Sequence, residues 1–271
     1  LNTLKDNRSL SVGELKRLHR KGVGQIKHSL RPFGYYHAEV ESEISLVEDV
    51  WKAKYSVELG PPIIIRSFII KVEEEGRDSK ELQETIASFP LKVGDVLDQQ
   101  KYETGKKKII QLAYSHGYLD SNFFKDNSKG VPGGSVKIDR INNTADIELI
   151  LYSGSLYYFG ETLPNKDILY PTVLKKYINY KEGEPYSAQK KAELQRSLYR
   201  TGYFKYVNIR GEPAKAVNNL VPVTIELEPI DHMNKYTFGV GFATDTGLNG
   251  KIGWKNRLLN SRGHKLRSNL Q

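Results

Sequence analysis

Six histidines, at positions 19, 28, 37, 116, 232 and 264, are the side chains best suited to acid–base or metal chemistry near neutral pH. Their spacing supports neither. The first three lie nine residues apart, which sets neighbours on opposite faces of a helix, and no His-x-x-x-His pair occurs. Cys is absent, which removes thiol nucleophiles, thiolate ligands and disulfides. There is no Gly-x-Ser-x-Gly elbow and no P-loop, and Gly239-x-Gly241 lacks a third Gly at dinucleotide-binding spacing. The carboxylate run Glu73-Glu74-Glu75 reads as a solvated turn. The chain is therefore expected to be no enzyme and to take no cofactor. What remains is recognition by backbone and surface.

The motif that organises the chain is a repeat. Leu198-Tyr199-Arg200-Thr201-Gly202-Tyr203-Phe204 has counterparts at Leu112 to Leu119, around Gly117-Tyr118, and at Leu30 to Tyr36, around Gly34-Tyr35. The Gly-Tyr pairs are 83 and 85 residues apart. Each reads as a helix that stops on a Gly with positive φ before a strand opening on an aromatic residue. Near-equal spacing predicts a repeated module of roughly 80–85 residues, close to the lower size limit for an independent core.

The elements follow from periodicity. Ser11-Val12-Gly13-Glu14 has capping-box spacing and predicts a helix from Val12 to about Gly22, with a second from about Val23 to Arg31. Strands are expected at Tyr35–Ile44 and at Trp51–Leu59, the latter half-buried by its alternation. The second module opens with the β-branched strand Ile63–Val72. A helix capped near Asp78 carries Leu82, Ile86 and Phe89, and a helix over about Tyr102–His116 buries Ile109, Ile110 and Ala113. A strand is expected after Gly117-Tyr118, then an insertion from Asp126 to Ser135, then strands from Val136 and around Ile147, Leu149 and Leu151. The third module repeats the order: a strand at Leu156–Phe159, a helix at about Pro171–Asn179, a Ser187-capped helix with Leu194 and Leu198, a strand at Tyr203–Ile209, and alternation at Val221, Val223, Ile225 and Leu227. Gly183-Glu184 echoes Gly94-Asp95 ahead of the Gly-Tyr pair.

After Pro229 the texture changes. Tyr236, Phe238, Val240 and Phe242 alternate with Thr237, Gly239 and Gly241. A turn-like Thr246 to Gly250 follows, and Ile252 and Trp254 then alternate with Lys251, Gly253 and Lys255. This is the pattern of transmembrane β-strands with one face to lipid, although a soluble hairpin alternates in the same way.

Composition sets the outer bounds. With 271 residues, 38% hydrophobic and 27% charged, the chain is expected to fold, and no run of 18 apolar residues marks a membrane helix. It does not begin with Met and opens in a polar helical stretch, so it is read as a fragment of a longer protein. The net charge of +9 reads as spread along the chain, with Lys106-Lys107-Lys108 its only tight run and most simply a solvated helix face.

Taken together, these features resemble the outer-membrane β-barrel assembly superfamily, in particular its TamA type. The residues that carry the likeness are Leu30–Tyr36, Leu91–Tyr102 with Gly117-Tyr118, and Tyr177–Tyr186 with Leu194–Phe204. The most specific are Gly239–Gly247, Trp254-Lys255 and Asn260-Ser261-Arg262-Gly263-His264. The resemblance implies an α+β chain of three tandem polypeptide-transport-associated (POTRA) domains, each strand–helix–helix–strand–strand, followed by the first hairpin of a transmembrane β-barrel. The expected boundaries are 1–61 (first strand missing), 62–155, 156–231 and 232–271. The setting implied is the Gram-negative outer membrane, with this fragment mostly in the periplasm. Implied partners are a TamB-type inner-membrane-anchored subunit and unfolded outer-membrane or autotransporter clients, and no nucleic acid.

A small sheet backed by helices leaves edge N–H and C=O groups as a template for an incoming strand. By analogy with the family, the strand after each Gly-Tyr is the candidate: Tyr118, Leu119, Ser121 and Phe123 in the second module, and Phe204, Tyr206, Val207, Asn208 and Ile209 in the third. Proline at Tyr206 or Asn208 is expected to weaken binding without unfolding the module. Two other functions fit parts of the sequence. One is a two-partner secretion transporter or main barrel-assembly subunit. The other is a basic soluble nucleic-acid binder, whose affinity would fall steeply with salt.

Overall fold

The computed structural model of the protein describes residues 11–48, 50–124, 133–244 and 247–270. The expected insertion after Phe124 falls largely outside them, as does the start of the turn at Thr246. The described chain is α+β and gathers into two compact units.

The first unit comprises described residues of Leu1–Glu73, Arg77–Gln111 and Asn122–Tyr152. Its first helix, α1 (Val12–Leu30), starts on the expected capping box: Glu14 N–H donates to Ser11 Oγ at 3.3 Å and Ser11 N–H to Glu14 Oε2 at 3.0 Å. The expected break at Gly22 does not occur, and α1 is one helix. Gly22 is there for packing: a Cβ would lie 2.6 Å from the hydroxyl of Tyr55, which donates to His19 C=O. The helix closes through a 3-10 turn, Arg31–Phe33, onto Gly34 at φ +86°.

Strands β1 (Glu39–Val47) and β2 (Val50–Glu58) form an antiparallel pair. The expected half-burial of β2 fails, because Trp51 and Val57 remain 39% and 43% exposed. The repeated sheets below have three strands and two intervening helices; this pair has two strands, with α1 packed against β1.

The second sheet has the order β3-β5-β4, from β3 (Ile64–Glu73), β4 (Gly134–Asp139) and β5 (Thr144–Tyr152). Between β3 and β4 lie α2 (Lys80–Ala87) and α3 (Gln99–Ser115). Ser79, not Asp78, caps α2, its hydroxyl accepting from Leu82 N–H. The central strand β5 is parallel to β3 and antiparallel to β4. Its alternation buries Ala145, Ile147, Leu149 and Leu151, each at most 2% exposed.

The second unit comprises described residues of Glu74–Gly76, Leu112–Ser121 and Ser153–Gln271. It repeats the plan: β6 (Tyr158–Pro164), α4 (Pro171–Leu174), α5 (Ala188–Arg200), β7 (Phe204–Gly211) and β8 (Leu220–Pro229), in the order β6-β8-β7 with β6 parallel to the central β8. Its core joins Leu194 and Leu198 of α5 to Val221, Val223, Ile225 and Leu227 of β8, as the alternation requires. The expected helix at Pro171–Asn179 is one turn long. The chain then bends to stack Tyr180 on Phe159, ring centroids 3.7 Å apart.

Beyond Pro229 come three strands rather than a hairpin: β9 (Asn234–Ala243), β10 (Gly247–Asn256) and β11 (Leu266–Leu270), paired antiparallel with β10 central. Register puts Tyr236, Phe238, Val240 and Phe242 on one face with Leu248, Ile252 and Trp254 of β10. The four β9 side chains are 62–83% exposed, an uncovered apolar face.

Candidate polypeptide-binding sheet edges

Each repeated sheet has two edges, and the chain treats them differently. The edge of β3 is met by a return of its own chain: Gly94 N–H donates to Ile65 C=O (2.8 Å), Ile65 N–H to Asp95 C=O (2.9 Å) and Leu97 N–H to Ile63 C=O (2.8 Å). The start of β6 is sealed identically, Gly183 with Phe159 C=O (2.8 Å), Phe159 with Glu184 C=O (2.8 Å) and Tyr186 with Tyr157 C=O (2.9 Å). Asp95 and Glu184 also brace the turns, accepting from the N–H groups of Lys92 and Lys181. Lys190 bonds Glu184, and that bond and the Lys181 N–H hold its carboxyl below the usual range. The Gly183-Glu184 echo of Gly94-Asp95 is this edge seal.

The Gly-Tyr glycines take φ of +86°, +93° and +73° at Gly34, Gly117 and Gly202. The first two also serve as joints. Gly34 C=O accepts from Ile63 N–H at 2.9 Å, just before β3, and Gly117 C=O accepts from Tyr157 N–H at 2.9 Å, just before β6. A Cβ at Gly34 would lie 2.7 Å from Leu97 C=O, and one at Gly117 2.9 Å from Tyr186 C=O.

The opposite edges, β4 and β7, have no strand beside them among the described residues. Glu212 N–H bonds Pro222 C=O, so antiparallel alternation makes Arg210, Asn208 and Tyr206 the residues that exchange bonds with β8. The backbone groups of Val207, Ile209 and Gly211 then face outward. The carbonyl of Val207 does so, accepting from Gln195 Nε2 of α5 at 3.0 Å. Val207 and Ile209 bury their side chains in the core, while Tyr206 is 48% exposed. Lys205 forms the irregularity in the β7 register and bonds Asp231 Oδ1 at 2.9 Å; that contact raises the Lys205 pKa and lowers that of Asp231. A charged kink of this kind blunts the start of the edge and leaves Ile209 and Gly211 as its open part.

The second-module candidates sit differently. Tyr118–Phe124 is not a strand. Ser121 Oγ donates to Tyr118 C=O and Ser153 C=O, and Tyr118, Ser121 and Phe123 are buried. Leu119 packs on the core of the second unit. The strand in the position of β7 is β4, reached only after the insertion. The proline test at Tyr206 or Asn208 also needs correction, because their N–H groups bond β8 and proline there would break the sheet itself.

The charge is not spread evenly. Residues 232–271 hold seven Lys or Arg against one Asp, +6 of the chain's +9. Reading only tight runs hid this, since these cations alternate along strands. Among the described residues no three His, Asp or Glu side chains gather as a metal site.

Comparison with known proteins agrees with this architecture. The family model "POTRA domain TamA domain 1" matches residues 1–59, and the POTRA model "Surface antigen variable number repeat" matches residues 165–229. BamA from Haemophilus ducreyi lacking POTRA domains 1–3 superposes with TM-score 0.60 at 18% identity, covering 76% of this chain and 36% of that one. The chain thus spans about a third of the solved BamA chain. POTRA3–5 of Haemophilus influenzae BamA matches at 19% identity and TM-score 0.45, over 83% and 93% of the two chains. CdiB from Acinetobacter baumannii matches at 13% and 0.42, over 97% and 47%. The chain thus carries two POTRA matches, one of TamA type over the α1 and β1–β2 region and one over most of the β6-β8-β7 sheet, and its likeness to BamA is one of fold.

Proposed function

We propose that this chain is the periplasmic portion of a Gram-negative outer-membrane assembly or secretion factor, and that it receives extended client or partner segments by strand addition at β7. The observation that carries the reading is the asymmetry of the edges. The chain closes the starts of the β3 and β6 edges with matching returns but leaves Ile209 and Gly211 of β7 without a backbone partner among the described residues. Backbone pairing is nearly independent of sequence, which suits a protein handling many unfolded chains. On this reading 1–61, 62–155 and 156–231 are three POTRA modules and 232–271 opens the barrel. Its apolar face (Phe238, Val240, Phe242) meets lipid. The TamA-type match over residues 1–59 supports a TamB-type partner and autotransporter clients.

The absence of Cys makes a direct test available. Asn208→Cys on the open strand and Tyr158→Cys on the sealed strand are incubated with Cys-bearing β-strand peptides from an outer-membrane protein. Mixed disulfides should accumulate at position 208 well above position 158. Equal trapping at both positions would sink the proposal.

A further inference from the structure

The polar face of β9–β11 carries a cation arrangement that edge pairing does not use. Lys255 of β10 lies directly opposite Lys235 of β9 on one side and Arg267 of β11 on the other. Three cations therefore stand abreast across three adjacent strands, where directly opposed like charges repel. The next row is small and polar: Gly253 opposite Thr237 and Asn269. With Lys251 and Arg257 at either end, these residues line an open hollow of about 450 Å³. None of the five cations makes an ion pair with a described residue. Lys265, which lines an adjoining hollow with Lys255 and Arg257, has its pKa lowered, first by partial burial and then by the charge on Lys255.

We propose that this face binds the carboxylates of an acidic, extended polypeptide segment. A row of like charges over a floor of small residues is relieved by an anion, and the floor leaves room for one. The geometry favours a polypeptide over a lipid headgroup. The cations lie on the face opposite the exposed apolar row of Phe238, Val240 and Phe242, whereas headgroups gather at the ends of a lipid-facing surface. They also extend along the strand: Lys251 and Lys255 are about 13 Å apart at ~3.3 Å per residue. Side chains on one side of an extended peptide recur every ~7 Å, so alternate carboxylates can meet successive cations. The inference rests on the reading that β9–β11 begin a barrel whose apolar face meets lipid.

The test uses the full chain in detergent micelles and a labelled decapeptide of alternating Glu and Ser, against its Gln/Ser counterpart. The Glu peptide should bind more tightly, and Lys255→Gln with Arg267→Gln should weaken it at least tenfold. Lys80→Gln with Lys107→Gln, the same charge removed from exposed positions elsewhere, should leave it unchanged. Equal binding of the two peptides, or equal loss in both double variants, would overturn the proposal. So would a double-variant loss confined to vesicles containing phosphatidylglycerol, which would make the anion a lipid. Gel migration of unheated against boiled samples reports separately on the barrel, so failure of that reading is distinguishable from failure of this one.

Discussion

The Gly-Tyr glycines make a comparison in which one effect can be isolated, because Gly117 is a joint and Gly202 is not. Gly117→Ala and Gly202→Ala both force an L-residue into the left-handed region, at φ +93° and +73°. That costs about 1–2 kcal/mol, offset by about 0.4–1 kcal/mol because Ala also restricts the unfolded chain. At Gly202 a Cβ would meet nothing within 4 Å, so the loss should stay near 1 kcal/mol. At Gly117 the Cβ would also lie 2.9 Å from Tyr186 C=O and 3.1 Å from Tyr157 C=O, backbone atoms that cannot rotate away. Displacing them adds the ~1–3 kcal/mol typical of overpacking. It also strains the Tyr157 N–H bond to Gly117, worth about 1 kcal/mol if lost. With that bond lost, Gly117→Ala should therefore cost about 3–5 kcal/mol in total. Native-state hydrogen exchange is the assay, because the chain holds several sheets and one global transition would blur the site. The Tyr157 amide should lose protection in Gly117→Ala and keep it in Gly202→Ala. If the two variants lose equal stability, or if Tyr157 stays protected in both, the glycines do not act as packed joints and the reasoning fails.

Two further outcomes follow from the same geometry. Tyr157 donates to Asp120 Oδ2 at 2.7 Å, and that bond first, then burial and the carboxylate charge, pushes its pKa up to about 12. A raised phenol pKa means this stabilisation is whole below the ordinary value near 10 and is lost as pH rises toward 12; Tyr102, Tyr180, Tyr186 and Tyr203 are also raised, so phenolate absorbance should show several late-titrating Tyr residues and one fewer in Asp120→Asn. On β9, Phe238→Arg should cost about 2–4 kcal/mol if that face lies near the bilayer midplane and remove heat-dependent gel migration of the full-length protein, whereas Thr237→Arg on the other face should not; equal effects would mean the two faces are not differently solvated.

What was legible in the sequence was what alternation and glycine enforce locally. Val221 to Leu227 and Ile147 to Leu151 had to be strands, because an every-second-residue apolar pattern fits nothing else, and the Gly-Tyr glycines had to be left-handed stops. What was not legible depended on distant partners. Gly22 looked like a helix end, yet it faces Tyr55, more than thirty residues away, and a close approach of that kind leaves no local mark. The segment after Gly117-Tyr118 looked like a strand by analogy with Tyr203-Phe204. Its hydrogen bonds go instead to a turn around Ser121, and the matching strand waits until Gly134. The open edge itself was expected in the third module. Which backbone groups face outward could not be expected, because that parity is set by pairing with β8 and not by the residues of β7.

The matching seals on β3 and β6 bear on how strand addition would be controlled. In each sheet the first strand lies parallel to the central one and is closed at its start by a return segment running just before the second helix. The last-paired strand, β4 or β7, is antiparallel and has no strand beside it among the described residues. On β7 a client strand would meet the outward backbone groups of Ile209 and Gly211. Val207 and Ile209 are committed to the core and cannot be tuned for a client without disturbing the fold, which leaves Tyr206, Asn208 and Arg210 as the side chains of β7 free to discriminate. Further selectivity would come from surfaces outside the edge. The cation row of Lys235, Lys255 and Arg267 is such a surface, with charge rather than shape as its discriminator. Separating a permissive edge from a charge-reading face lets one chain accept many extended segments while favouring those that carry acidic residues.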